Sequence, residues 1–374
     1  SGTGDGEAGD GETGDGGDGE AGDGGTGDGG TGDSGTGNSG TTSGTTTDGN
    51  SSNSSSSSSS SSNSTTTNTD TDSTFVPTIT PSTSTDSGTS STAPTTVTNT
   101  PIVAQAVAVT VVDTVVTVDE ATGNTVKTTA YSSGAKVVQT VTQSGSVSAE
   151  ISGITTKTEM TIPLDKAPSI TEVVVIVHED GTREIIKDTA IDGDGLRIIL
   201  NSNATIEVVD NKKSFDDVAT NSWYEDSVSF VTSRELFNGM EEGVFAPTGT
   251  MTRAMIWQVL YNYQGSDVGA TGSEWYAEAQ AWATEMGVSD GTNPDSEMTR
   301  EQLVTLLYRM GGTGATTGEI DNFSDNNDVS DWASDAMNWA VGEGILVGSD
   351  GNLNPKGNAS RAEVAAIMMR FISK

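Results

Sequence analysis

The sequence predicts a multidomain protein that joins a disordered N-terminal linker, a small all-β domain of sandwich-like type and an all-α region made of three repeats. Three observations support this prediction. Residues 1–74 contain no Val, Ile, Leu, Met, Phe, Tyr or Trp, Val-rich segments fill the middle of the chain, and one helical pattern occurs three times near the C-terminus. A segment without apolar side chains cannot offset the entropy lost on folding, so the first region is expected to stay disordered.

Composition narrows the classes of partner. The 374 residues include 53 acidic and 17 basic ones, which gives a formal net charge of −36. Binding to nucleic acid or docking on anionic lipid requires a basic face, so we expect neither. No apolar run approaches the roughly 20 residues that span a bilayer, and we expect no membrane insertion. The absence of cysteine excludes disulfides and leaves the compartment open. The chain begins without Met or a leader, as a processed or partial product would.

The linker is assigned to residues 1–100. Gly- and Asp-rich repeats give way to nine serines over residues 54–62 and then to Thr, Ser and Pro, which is typical of a flexible segment that stiffens near its end. Calcium binding by the Asp-rich repeats is a second interpretation, disfavoured because they lack the ligand spacing of an EF-hand. The Ser and Thr stretch is compatible with O-linked sugars, which the sequence does not decide.

The β domain is assigned to residues 101–212. The segments "VAVTVVDTVVTVD" and "TEVVVIVHEDGTREIIKD" alternate apolar with polar residues or are Val-rich, and Asp180-Gly181 predicts a hairpin. Several short strands separated by turn residues favour an antiparallel sandwich. His178 is the single histidine of the chain, so no second imidazole exists for a metal site. We interpret His178 as a surface residue of the hairpin.

The all-α region contains three copies of one pattern, aligned on Arg253, Arg300 and Arg361. Each arginine follows Thr or Ser and precedes apolar residues at +3, +6, +7 and +10, the spacing of one helix face. These apolar positions are Ile256, Val259, Leu260, Tyr263; Leu303, Leu306, Leu307, Met310; and Val364, Ile367, Met368, Phe371. Such self-similarity predicts a repeat architecture.

A further helix precedes each of these and is predicted to open on a tryptophan, namely Trp223, Trp275 or Trp332. A second aromatic residue seven positions later is assigned to the core: Phe230, Trp282 or Trp339. The loop between the two helices of a copy contains a glycine turn, at Gly239, Gly291 or Gly348. The repeats are therefore assigned to residues 213–265, 270–312 and 321–374, and each has the form helix, loop, helix.

The start of each second helix raises a problem of charge. The predicted helix caps are Thr252, Thr299 and Ser360. Gln302 and Glu363 complete capping boxes, which Met255 cannot do. Arginine then occupies the first helical position, where the peptide dipoles disfavour a cation by up to about 1 kcal/mol. Three such placements indicate that the arginines do more than stabilise a helix.

The segments "SFDDVATNSWYEDSVSFVTSRELFNGMEEGVFAPTGTMTRAM" and "NFSDNNDVSDWASDAMNWAVGEGILVGSDGNLNPKGNASRAE" combine an F-x-D-V opening, a tryptophan, a glycine turn and a T-R-A-E motif. In these features the repeats resemble the S-layer homology family. The resemblance implies a three-repeat bundle with pseudo-threefold symmetry, outside the cell and held non-covalently on the cell wall or S-layer of a Gram-positive bacterium. The implied partner is a secondary cell-wall polysaccharide, anionic through a pyruvate ketal. Lattice neighbours in an S-layer are a further possibility, and so is a simple tether.

In the family, the arginine of the motif and the tryptophan of the first helix line grooves between repeats. The resemblance therefore implies binding by Arg361, Arg253, Arg300, Trp332, Trp223 and Trp275, and we add the turn glycines Gly348, Gly239 and Gly291. An anionic ketal suits a guanidinium beside the unpaired N–H groups of a helix N-terminus. The alternatives are a surface ion pair for each arginine and core packing for each tryptophan.

Departures from the motif rank the three sites. The first repeat has Met255 where the motif has Glu, and the second repeat lacks a clear F-x-D-V opening and has a shorter loop. Arg361 is therefore the first candidate and Arg300 the last. The aspartates ahead of the first helices, Asp216, Asp217 and Asp325, are interpreted as helix caps rather than catalytic acids.

The leading functional prediction is a non-catalytic wall anchor without metal or cofactor, in which the β domain is a spacer. The alternative is the C-terminal anchor region of a surface hydrolase or adhesin whose functional domain lies upstream. A glycosidase within the chain is least favoured, because no pair of carboxyl groups has the distinct environments that acid–base catalysis requires.

Overall fold

A computed structural model describes residues 105–266, 268–270, 272–312 and 319–374. The predicted linker over residues 1–100 lies outside these residues, and so do the interpretations of its Asp-rich and Ser-rich stretches. Within the described part, strands occur between residues 107 and 210 and α-helices between residues 225 and 372. A β-rich region followed by helices is the order that the sequence predicts.

Eleven strands in the described residues form two sheets. They are β1 (Val107–Ala108), β2 (Val111–Val118), β3 (Thr125–Tyr131), β4 (Lys136–Val141), β5 (Val147–Ser152), β6 (Thr158–Pro163), β7 (Glu172–Val177), β8 (Arg183–Ile185), β9 (Ala190–Asp192), β10 (Gly195–Leu200) and β11 (Ala204–Asp210). One sheet has the order β1, β6, β10, β9, and the other has the order β2, β3, β4, β5, β11, β7, β8. All pairs are antiparallel except β1 with β6.

One apolar cluster lies between the two sheets. Val137, Ile151 and Ile206 from the larger sheet join Ile162 and Ile198 from the smaller one, and each is at most 3% exposed. Alternate residues along these strands therefore face a shared core, as the period of two in the sequence predicts.

The hairpin predicted at Asp180-Gly181 joins β7 to β8. Gly181 has a φ of +83°, a conformation that glycine adopts without steric cost, and Val177 pairs with Arg183 across the turn. The Nε2 atom of His178 lies 3.1 Å from a carboxylate oxygen of Glu184 at the surface. Both the hairpin and the surface position of His178 are confirmed.

The six α-helices are α1 (Glu225–Ser233), α2 (Arg253–Gln264), α3 (Ala277–Glu285), α4 (Arg300–Gly311), α5 (Ser334–Gly342) and α6 (Arg361–Ile372). The three arginines are the first residues of α2, α4 and α6, and the predicted caps and both capping boxes are present. None of the described helices has both the length and the apolar composition needed to cross a membrane.

The predicted start of the first helices was wrong by two residues. Trp223, Trp275 and Trp332 each lie two positions ahead of α1, α3 or α5. The chain is still in a turn at these tryptophans, and in the third repeat it forms a short 3-10 helix there. An apolar pattern marks which residues reach the core, and it does not mark where helical hydrogen bonding begins.

The helices close into a ring through their packing. The first helix of one repeat packs against the second helix of another: α3 with α2, α5 with α4, and α1 with α6. The contact of α1 with α6 joins the first repeat to the third. Ten of the twelve predicted stripe residues are at most 5% exposed, the exceptions being Tyr263 and Phe371, which pack against the same core.

A buried arginine attaches the β region to the first repeat. Arg234 follows α1, is fully buried, and donates to the carbonyl oxygens of Thr189 and Ile170 in the β region and of Phe230 in α1. Its guanidinium carbon lies 3.5 Å from the centre of the Phe230 ring. The side chain of Asn211 donates to the carbonyl oxygen of Ser233 close by. Buried carbonyls satisfied in this way fix the two regions to each other.

An acidic side chain near this junction is held in an unfavourable environment. Burial raises the pKa of Asp188 to about 6, against the opposing effects of the Ile199 backbone N–H and of the nearby charges of Arg197 and Lys157. One carboxylate oxygen of Asp188 has no hydrogen-bond partner among the described residues. Because the folded pKa exceeds the unfolded one, the ionised carboxylate destabilises the fold.

We predict that Asp188→Asn stabilises the protein at neutral pH by about 1 to 3 kcal/mol. The cost in the wild type is absent below about pH 4, grows between about pH 4 and pH 6 and is complete above that range. Urea unfolding at pH 4, 5, 6 and 7.5 measures the difference between variant and wild type. The exposed Asp194→Asn serves as control, and a difference that does not change with pH would contradict the assignment.

Candidate functional site

Three backbone hydrogen bonds close a ring at the meeting point of the repeats. The N–H of Met251 donates to Ala359, that of Ala359 donates to Met298, and that of Met298 donates to Met251, with N to O distances of 2.9 to 3.1 Å. All three residues are at most 1% exposed. Each lies two residues before an arginine of the motif, so these hydrogen bonds fix the backbone positions of the three arginines.

Each of these arginines reaches from its helix to a loop in a different repeat. The Nε atom of Arg361 donates to Phe245 at 2.7 Å, that of Arg253 donates to Thr292 at 2.8 Å, and that of Arg300 donates to Leu353 at 2.8 Å. The accepting carbonyls belong to the first, second and third repeat in turn. The three arginines are between 5% and 8% exposed. We call each contact an arginine clasp.

The remaining donors of the three guanidinium groups have different partners. Arg361 donates to the carbonyl oxygen of Asn238 at 2.8 Å, and its guanidinium carbon lies 4.6 Å from the centre of the Phe245 ring. Arg253 and Arg300 instead form ion pairs with Asp290 and Glu363. Burial lowers the pKa of Arg361 and of Arg253, and a nearby carboxylate opposes the shift in both cases. The clasps therefore satisfy buried carbonyls at the cost of desolvating a cation.

The expectation of unpaired N–H groups at these helix starts was wrong. In α6, the N–H groups of Arg361 and Ala362 donate to Gly249 and Pro247, and Ser360 accepts from the next two. The corresponding N–H groups of α2 donate to Ser296, Pro294 and Thr252, and those of α4 donate to Gly357, Pro355 and Thr299. Loops of neighbouring repeats occupy these donors, which a sequence read one repeat at a time cannot reveal.

The aspartates ahead of the first helices are not helix caps, so that interpretation was also wrong. The carboxylate of Asp217 accepts from the backbone N–H groups of Phe245 and Ala246 at 2.8 and 2.6 Å. Asp325 accepts from Leu353 and Asn354 in the same way. Each carboxylate therefore holds the loop whose carbonyl receives an arginine. Asp216 makes no such contact among the described residues.

The loop held in this way has a strained backbone at one residue. Ala246, Asn293 and Asn354 have φ values of +58°, +52° and +51°, and a proline follows each of them. Non-glycine residues adopt this conformation rarely, because the Cβ atom crowds the backbone. At Ala246 and Asn354, the arginine clasp and the aspartate contacts on either side provide the hydrogen bonds that keep this conformation in place. At Asn293, the clasp on Thr292 and the contact of the Thr292 N–H with Asp290 take their place.

One groove brings together predicted residues from all three repeats. It has a volume of about 500 Å³ and is lined by Trp223, Arg300 and the loop that contains Gly348, together with Glu363 and Arg370. Its charged lining residues, which also include Asp350, are two basic and two acidic. The Trp223 side chain is 64% exposed here.

Two further grooves lie beside the other turn glycines. The groove at Gly291 has a volume of about 610 Å³, and its charged lining residues are Glu285 and Asp290. The groove at Gly239 has a volume of about 600 Å³ and is lined by Lys187, Lys212, Lys213, Glu235, Asn238 and other residues. These lysines are not among the site residues predicted from the sequence. Their signal was Lys212-Lys213, the one pair of adjacent basic residues in the sequence.

The three tryptophans occupy different environments. Trp275 is 61% exposed, close to the value for Trp223, and each packs edge to face on the tyrosine that follows it. Trp332 is half-buried and packs against the core. Core packing is therefore the wrong interpretation for two of the three, whereas the core assignment of Phe230, Trp282 and Trp339 is confirmed by exposures of at most 2%.

A family model for the S-layer homology domain matches residues 214–254 and 322–365. The chain contains S-layer homology domains. The matches fall in the first and third repeats. In these two repeats an aspartate of the same repeat and an arginine of another both contact the loop between the helices. The second repeat, with its shorter loop, lies outside both matches. An S-layer homology domain is an anchoring module that binds cell-wall polymers, so its presence indicates a location at the cell wall or S-layer.

Curated relatives of this chain include enzymes and S-layer proteins. Amylopullulanase of Thermoanaerobacterium thermosulfurigenes is 34% identical over an alignment of 184 residues, which covers 43% of this chain and 10% of the relative. Exoglucanase XynX of Acetivibrio thermocellus is 32% identical over an alignment of 191 residues, which covers 45% of this chain and 17% of the relative. The S-layer protein sap of Bacillus anthracis is 28% identical over an alignment of 181 residues, which covers 43% of this chain and 21% of the relative. The matched part of the chain thus spans 10 to 21% of the length of these relatives.

We predict that Asp217→Ala lowers the free energy of unfolding by about 2 to 3 kcal/mol, because two backbone N–H groups lose a charged acceptor. Its neighbour Asp216→Ala is the matched control and is expected to change stability by less than about 0.5 kcal/mol. Urea unfolding followed by circular dichroism measures both. Equal effects at the two positions would contradict the assignment of Asp217 as the loop-holding residue.

We predict that Arg361→Ala lowers the free energy of unfolding by about 2 to 4 kcal/mol, since two carbonyls lose their donors. Arg361→Lys is expected to recover only part of this loss, because an ammonium group cannot reproduce the planar fork. The control is Arg183→Ala, which removes an exposed arginine paired with Glu207. Thermal unfolding of Arg361→Ala at the wild-type temperature would show that the clasp does not stabilise the ring.

Proposed function

We propose that this protein is held non-covalently on the Gram-positive cell wall by S-layer homology repeats that bind an acidic secondary wall polysaccharide bearing a pyruvate ketal. The groove beside Gly348 carries the proposal. It combines the exposed indole of Trp223, the guanidinium of Arg300 and a glycine-containing loop, one from each repeat. An indole offers a flat face to a sugar ring, and a cation favours the carboxylate of a ketal.

The proposed architecture is a bundle of three repeats around a pseudo-threefold axis. The closed ring of Met251, Met298 and Ala359 hydrogen bonds supports it, and so does the cyclic order of the arginine clasps. We propose residues 213–265, 270–312 and 321–374 as the repeats and residues 101–212 as the β domain. The Gly348 groove takes its lining from all three repeats, so ligand binding there depends on a closed ring.

The proposed contribution of the arginines follows from their burial. Arg361, Arg253 and Arg300 direct Nε to a neighbouring loop, so each positions a groove-forming loop, and Arg300 also lines the Gly348 groove itself. The loop residues Gly239, Gly291 and Gly348 then form the groove wall. The motif departures predict the order Arg361, Arg253, Arg300 for binding, whereas the lining of the Gly348 groove favours Arg300 at that groove.

We predict that the protein cosediments with purified Gram-positive cell walls and that chemical removal of the ketal abolishes this binding. Trp223→Ala should weaken binding about five- to tenfold, the usual cost of removing an aromatic contact. Because Trp223 is exposed, its removal tests binding without loss of core packing. Val112→Ala, at a residue that is 68% exposed on β2, is the control.

The outcomes separate the candidate functions. Sedimentation without cleavage of the polysaccharide supports an anchor, whereas release of soluble sugar by the purified chain would replace it with a hydrolase. Equal binding to native and ketal-free walls would show that the repeats do not recognise the ketal. Unchanged binding by Trp223→Ala would exclude the Gly348 groove as the binding site.

A second candidate is that these repeats anchor a surface hydrolase. The similarity to an amylopullulanase and an exoglucanase, over 10% and 17% of their lengths, favours this candidate. An immunoblot of wall-bound protein from the source organism distinguishes the two. A product near 38.3 kDa supports an anchor of this size, and a much larger product supports the anchored enzyme.

A further inference from the structure

The groove beside Gly239 differs from the other two loop grooves of the described chain in its charge. Its charged lining residues are three lysines and one glutamate. The Gly348 groove has equal numbers of basic and acidic residues, and the Gly291 groove has only acidic ones. In a chain with a net charge of −36, an anionic polymer is repelled at long range, and local cations have to provide the attraction.

Two of the three lysines come from the β region and not from the repeats. Lys187 follows β8, and Lys212 follows β11. Lys213 is the first residue of the first repeat. The β region thus supplies most of the positive charge beside a loop that belongs to an S-layer homology domain.

The segments that carry these lysines are fixed against the first repeat. Thr189, two residues after Lys187, accepts a hydrogen bond of 2.6 Å from the fully buried Arg234. Asn211, next to Lys212, donates to the carbonyl oxygen of Ser233 at 2.6 Å. Buried hydrogen bonds on both segments hold the two backbones in place, so the lysines are preorganised around the groove.

The lysine side chains keep an excess of positive charge at the groove. Glu235 lies between two of them, with its carboxylate oxygens 3.4 Å from Lys187 Nζ and 3.9 Å from Lys213 Nζ. Lys212 is exposed and has no ion-pair partner among the residues that the structure describes. One glutamate cannot neutralise three lysines, and the side chain of Asn238 adds an exposed amide donor at the same rim.

We propose that the β region and the first repeat form one composite binding site at the Gly239 groove for an acidic glycan chain, in which Lys187, Lys212 and Lys213 bind its anionic groups. The volume of about 600 Å³ lies within the range of sites for small ligands and so accommodates a short stretch of glycan. The β region is then part of the anchor and not a spacer. This inference rests on the proposed wall-binding function.

The test compares three triple variants of the full chain in the same cosedimentation assay with native and ketal-free walls. Lys187→Gln, Lys212→Gln and Lys213→Gln together should weaken binding to native walls about tenfold at low ionic strength, since each exposed charge pair contributes a small factor. Replacing the same three lysines by arginine should retain binding. The tenfold difference should shrink as salt is added.

The matched control is Lys127→Gln, Lys136→Gln and Lys166→Gln. It changes the net charge equally and also removes two ion-paired lysines and one exposed lysine, all in the β region, and none of them lines the groove. Wild-type binding by this control together with weak binding by the groove variant supports the composite site.

Wild-type binding by the groove variant would overturn the inference and leave the wall anchor intact. Equal losses in the groove variant and the control would also overturn it, because net charge would then explain the effect. If the wild type itself failed to bind walls, the proposed function and this inference would both be wrong.

Discussion

The three arginine clasps connect each repeat to the next, and the ring of repeats depends on them. A cation at the first position of a helix opposes the peptide dipole, and burial adds a desolvation cost. The structure offsets both by directing Nε of Arg361 to Phe245, with equivalent contacts for Arg253 and Arg300. Because each accepting carbonyl lies in another repeat, the offset is available only when the three repeats assemble. The energetic cost of a buried arginine at each helix start is therefore compensated only when the three repeats assemble.

The grooves follow from this coupling. Asp217 holds the loop from one side and Arg361 from the other, which maintains a positive φ at Ala246 and sets the wall beside Gly239. The loop of the second repeat is shorter. There, Asp290 helps to hold the loop, because it accepts a hydrogen bond from the Thr292 N–H and forms an ion pair with Arg253. Retained and altered copies of one loop thus lie beside three grooves of different charge, and such differences are a physical basis for unequal affinity.

Charge distribution links the fold to the proposed ligand. An acidic protein that binds an acidic polymer needs cations at the contact, because screening confines repulsion to about 8 Å at physiological salt. The three buried motif arginines mainly serve the ring. The lysines at the Gly239 groove, of which Lys212 and Lys213 are exposed, are placed to meet a polymer, and Arg234 fixes the segment that carries Lys187. An arginine that joins two regions in this way makes the β region relevant to recognition.

The sequence by itself determined the β-then-α order, the Asp180-Gly181 hairpin, the helix caps and the apolar stripes, because each depends on neighbours within a few residues. It also brought Trp223, Arg300 and Gly348 forward as candidates for the site. Tertiary structure alone decided that the first-turn N–H groups are paired, that Asp217 and Asp325 hold loops instead of capping helices, and that Trp223 and Trp275 are exposed. These features join residues that are far apart in the chain, and local periodicity carries no information about which distant backbone group fills a given donor or acceptor.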